Sequence, residues 1–138
     1  MNRALILLVL ILGIQHSYSQ NETKVTFSFG KMYMIRQDSK TNEVITEQPF
    51  AKVRSIIYDT FYKSYDILVT TPEGEDTGFS LSYVNYDKKT NLIRMKDKQN
   101  DYWYAVDNLD KNGLLYITNE TAKNGIILSF KFVNLIKD

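Results

Sequence analysis

The chain has 138 residues, a formal net charge of +1, one histidine and no cysteine. That length suits a single domain, and so even a charge balance argues against nucleic acid as a main partner, because phosphate binding needs clustered cations. The lack of cysteine excludes disulfides, thiol chemistry and the lipid-modified cysteine of a bacterial lipoprotein, so the domain must fold on packing alone.

The first predicted element is a leader. Met1, Asn2 and Arg3 form a short positive n-region, residues 4–14 (ALILLVLILGI) form an apolar run, and QHSYS follows. Ser17 and Ser19 stand at the −3 and −1 positions of a cut before Gln20, the layout of a secretory signal peptide. The apolar run is too short to span a bilayer, which takes about 20 residues, and no later segment approaches a span. The expectation is a signal peptide over residues 1–19 and one exported domain over 20–138, periplasmic or secreted, with a bacterial source favoured. Of the 17 Lys and Arg, Arg3 leaves with the leader, and the rest balance the 16 Asp and Glu.

In residues 24–36 (KVTFSFGKMYMIR), Val25, Phe27 and Phe29 alternate with polar positions, the period of a half-buried strand. Gly30 predicts a bulge or bend within it. QDSKTN (37–42) is a turn, a strand begins at residues 43–46, and Pro49 is expected to interrupt it. The pattern resumes in AKVRSIIY (51–58), read with Val53 and Ile57 on one face and Arg54 and Ile56 on the other. A helix over 50–62 is the weaker alternative because of its β-branched and aromatic content. SYDILVTT (64–71) alternates Tyr65, Ile67 and Val69, and PEGEDTG (72–78) is an acidic loop.

From residue 78 to 135 short apolar runs alternate with turn clusters, the rhythm of an antiparallel meander. Phe79, Leu81 and Tyr83 share a strand face. LIRMKDK (92–98), with its interleaved charges, is expected to be an edge strand or a poorly covered one. YWYAV (102–106) is the most aromatic strand, and Asp110, Lys111, Asn112 and Gly113 mark a hairpin. A turn ends at Asn124-Gly125. The last strand places Ile126, Leu128, Phe130 and Phe132 on one face. The fold expected is all-β: a single antiparallel meander of about eight strands closed into a small barrel, with a two-sheet sandwich as the alternative. The strand number, and only the number, resembles the lipocalin-like barrels. Their Gly-x-Trp signature near the first strand is absent, and the one tryptophan, Trp103, comes late.

His16 lies in the leader, so the exported chain has neither His nor Cys, and triads, histidine bases and common zinc sites are excluded. Paired carboxylates would be the remaining enzymatic route; Asp59, Asp66, Glu73, Glu75, Asp97 and Asp101 are candidates, with no spacing that singles out a pair. Residues 108–119 partly imitate a calcium loop, but the first position is Asn108 and the twelfth is Asn119 where a bidentate Glu is needed, so a hairpin turn accounts for them. Asn21 and Asn119 each open a glycosylation sequon, which matters only in a eukaryotic setting. No cofactor is implied.

Two surface features remain. Arg94, Lys96 and Lys98 alternate along one predicted strand, near Lys88 and Lys89. They form either a patch for an anionic partner or a charged face that blocks edge-to-edge aggregation. Tyr102, Trp103 and Tyr104 are the candidate ligand-binding residues, because Trp and Tyr offer rigid apolar area with a polar tip. Their alternation puts at least one of them in the core. The function expected is a non-enzymatic exported barrel that binds a small apolar or carbohydrate ligand. The alternative is a periplasmic or cell-surface interaction or structural module with a filled core, acting through an exposed edge or loop.

Overall fold

A computed structural model of the chain describes residues 23–138; the leader expected over residues 1–19 lies outside them, as does Asn21. The fold is a closed antiparallel barrel. Its strands are β1 (Lys24–Asp38), β2 (Val44–Asp59), β3 (Ser64–Thr70), β4 (Asp76–Asp87), β5 (Leu92–Lys96), β6 (Tyr102–Asn108), β7 (Leu114–Asn119) and β8 (Ile126–Val133). Each strand pairs with the next, and β8 returns to β1, so the meander closes on itself and a two-sheet sandwich is ruled out. A two-residue strand, β9 (Ile136–Lys137), continues the β8 side by pairing with Phe27 and Ser28 of β1. Closure satisfies strand edges that an open sheet would leave to solvent.

Three local differences separate the structure from the sequence expectation; the first two are β-bulges and the third follows from closure of the barrel. Pro49 does not end its strand: β2 runs through it, with Tyr33 opposite Pro49 and Met32 opposite Ala51, so Phe50 is the extra, bulged residue. Proline is tolerated there because β3 begins to pair with β2 only at Lys52, leaving the proline on an open edge where no ladder donor is missed. At Arg54 a second bulge shifts the alternation: Val53 pairs with Val69 and Ser55 with Leu68. One extra residue moves the following side chains to the other face. Val53 and Ile56 are therefore both buried, and Ile57 is not on the Val53 face. Third, β5 is not an edge; it is paired to β4 and β6 and ends at Lys96.

The barrel interior is filled through its middle by Ile56, Leu81, Met95, Ala105, Leu115 and Phe132. One end is plugged. A single helical turn, α1 (Leu109–Asn112), joins β6 to β7 and buries Leu109. Leu135, between β8 and β9, seats against Gly30 and Gly113. Gly30 thus serves close approach: a Cβ there would lie 2.7 Å from Leu135 Cγ and from the Val133 carbonyl oxygen. The backbone irregularity sits one residue earlier, at Phe29, whose φ is +65°. At the same end the buried Tyr65 hydroxyl donates to Asp107 Oδ2, while Asp107 Oδ1 accepts the Leu109 amide at 2.9 Å. Burial, then the Asp107 charge and that hydrogen bond, hold the Tyr65 phenol neutral far above the usual phenol range.

Candidate ligand-binding site

The opposite end of the barrel is not plugged. There β1 and β2 extend past the start of the β2–β3 ladder, the strand pairs β3–β4 and β5–β6 turn back, and a cup of about 350 Å³ opens between them. Its floor is buried and apolar: Met32, Val69, Leu81 and Ile117. Its walls are four half-buried aromatic side chains, Phe50, Phe79, Trp103 and Phe130. Phe130 is the hub, with ring centroids 5.9 Å from Phe50, 5.9 Å from Trp103 and 6.4 Å from Phe79, separations at which aromatic pairs attract beyond simple burial. Polar groups, including Thr77, Asp97, Lys98 and Gln99, also border the cup.

Local sequence explains how each wall residue arrives. Phe79 and Phe130 sit at inward positions of β4 and β8, in phase with the buried Leu81 and Phe132. Phe50 is turned inward by the bulge after Pro49. Trp103 pairs across the barrel wall with Met95 and Asn119, and its indole N–H donates to Asp97 Oδ2 at 3.0 Å. The other Asp97 oxygen accepts the amides of Gln99 and Asp101 at 2.9 and 3.0 Å, so the β5–β6 turn and the Trp103 ring are fixed by one carboxylate. With its N–H satisfied at the turn, Trp103 is positioned to offer the cup an apolar surface.

The three aromatic residues singled out from the sequence do not converge. Trp103 faces inward. Tyr102 and Tyr104 take the outer face, where the Arg94 guanidinium lies 3.9 Å above the Tyr102 ring and Tyr104 borders a shallow hollow with Lys88 and Lys89. The cationic patch is divided in the same way. Arg94 is held by Glu120 through bonds of 2.8 and 3.2 Å, and Lys98 lies off the strand, in the turn beside the cup.

The candidate carboxylates serve turns and pairs. Asp59 accepts the amides of Phe61 and Tyr62, and Asp66 accepts from Ser80. Glu73, Glu75 and Asp101 are exposed. Among the described residues, no three Asp, Glu, His or Cys come together as a metal-binding group. The calcium-like segment is split between β6, α1 and β7, and Asn119 is buried with its Oδ1 accepting the Thr121 amide. A side chain so enclosed is a poor glycosylation acceptor.

Sequence reasoning missed three of the four cup walls. Phe79 and Phe130 have the same alternation as core residues, and their place at the open mouth of the barrel is a tertiary fact. Phe50 had a signal, an aromatic directly after a proline inside a strand pattern. Together the fold and the site define a small meander β-barrel, plugged at one end and carrying an aromatic cup at the other. No family model, curated protein or solved structure matches the chain.

Proposed function

We propose that the protein is an exported, non-enzymatic binder of a small apolar ligand, and that the ligand sits in the aromatic cup. The observation that carries this reading is the pairing of an apolar floor with four half-buried rings in a cavity of about 350 Å³. Ligand sites are typically concave, apolar and about 300–1,000 Å³, with a few polar groups that fix orientation. A carbohydrate fits less well. Its hydroxyls need hydrogen-bond partners inside the site, and the cup floor offers none.

Trp103 is the sole tryptophan, so its emission reports the cup directly. Titration with the neutral apolar dye Nile red is expected to quench Trp103 as dye fluorescence rises. Phe50→Ala should weaken that binding about tenfold, the worth of one aromatic contact of about 1.4 kcal/mol. Dye binding that leaves Trp103 unchanged would reject the cup as the site. Export is tested separately by the mass of the protein recovered from its native cells, which should match a chain beginning at Gln20.

A second reading, a module that pairs with a partner strand, is favoured by the outer half of β2. Residues 44–51 are paired with β1 on one side only, and Val44 and Ile45 are exposed. The apolar cup ranks above it because Pro49 and the bulged Phe50 break the run of donors that strand addition needs.

A further inference from the structure

A second hollow adjoins the cup and indicates what kind of molecule fits. It measures about 400 Å³ and lies between the open edge of β2 and the turn that follows β3. The two cavities share Met32 and Phe50, so the Phe50 ring stands between them. Phe50 is the bulged residue of a strand edge that has no partner on that side. The hollow is bordered by Lys31 and Lys52, which face each other directly across the β1–β2 ladder. Both are exposed, and among the described residues neither has an acidic partner. Like charges directly opposite on neighbouring strands destabilise a sheet. Arg54, Arg94 and Lys131 on the barrel wall are paired with Asp76, Glu120 and Glu47, whereas Lys24, Arg36 and Lys96 have no ion pair among the described residues. What distinguishes Lys31 and Lys52 is that they face each other beside a hollow.

An unmatched ammonium pair beside an apolar cavity is a seat for an anionic group joined to an apolar body. We infer that the ligand is an amphiphilic carboxylate, its chain lying in the cup and past Phe50, its head group held between Lys31 and Lys52. This rests on the cup being the binding site and goes further by assigning the ligand a charge and a direction.

The test compares decanoate with decanol, the same chain with and without the charge, by Trp103 emission at neutral pH and low salt. Wild-type protein should bind decanoate about tenfold tighter than decanol, a fold-change in the range of a charge-assisted contact. The double variant K31M/K52M, which keeps the aliphatic stems, should bind the two equally. Lys52→Glu should raise the melting temperature, since it turns the repulsive pair into an attractive one, while making decanol the better ligand. A purely structural role for Lys52 would not reverse the ligand preference. Equal binding of both ligands by wild type, with Trp103 responding, would overturn the lysine seat and leave the cup standing. A decanoate preference that survives in K31M/K52M would overturn it too and place the charge elsewhere, with Lys98 beside the cup next to test. Failure of both ligands to alter Trp103 emission would reject the cup and this inference with it.

Discussion

Gly113→Ala is expected to lower the melting temperature by about 12 °C, corresponding to about 3 kcal/mol for a domain of this size. Two costs add at this position. Gly113 has a φ of +65°, where a Cβ costs about 1–2 kcal/mol. A Cβ there would also fall 2.9 Å from the Leu135 nitrogen, and closer still to its carbonyl oxygen, and these are backbone atoms, not the flexible end of a side chain that could yield. Forcing atoms into a packed site costs about 1–3 kcal/mol more. Gly74→Ala supplies the control. Its φ is +84°, but nothing lies within 4 Å of the added Cβ, so only the backbone cost of about 1 kcal/mol applies. Thermal unfolding of both variants measures the difference. If Gly113→Ala melts within a few degrees of Gly74→Ala, Leu135 is not the plug described above.

Tyr65→Phe is expected to destabilise the barrel by about 2 kcal/mol at neutral pH, the worth of a hydrogen bond to a charged partner at a partly buried site. The substitution keeps the ring, which packs 4.8 Å from Tyr58, and removes only the hydroxyl that donates to Asp107. Its pH dependence separates this bond from a packing effect. In the unfolded chain Tyr65 loses its proton near pH 10, whereas in the barrel burial and the Asp107 charge hold the phenol neutral well beyond that. Above pH 10 the unfolded state therefore binds fewer protons than the folded one, and stability must fall as pH rises. The expected slope is about 1.4 kcal/mol per pH unit from this group. Below pH 10 both states are protonated and the contribution is constant. Denaturant unfolding between pH 8 and about 11 should show the wild type losing stability more steeply than Tyr65→Phe. Parallel curves would mean that Tyr65 titrates normally and is not enclosed with Asp107.

The alternation of Tyr65, Ile67 and Val69, of Phe79 and Leu81, and of Phe130 and Phe132 is local, because side chains along a strand must face opposite ways. These faces, the turn residues between them and the count of eight strands were therefore legible before the structure. The two bulges of β2 were not. Whether Phe50 and Arg54 are extra residues depends on the partner strand, and a single insertion reverses which of Val53, Ile56 and Ile57 meet the core. The cationic alternation of Arg94, Lys96 and Lys98 was visible, but the pairing of Arg94 with Glu120 joins positions far apart in the chain.

By itself, then, the sequence determined an all-β meander with no cysteine and, from residue 20 onward, no histidine, since composition and period-two patterning act within single strands. Closure of β8 onto β1, the seating of Leu135 against two glycines and the gathering of Phe50, Phe79, Trp103 and Phe130 at one mouth were decided only in three dimensions. Each depends on strand stagger and twist, which bring side chains from four separate strands to the same height in the barrel. That height appears nowhere in the order of residues along the chain.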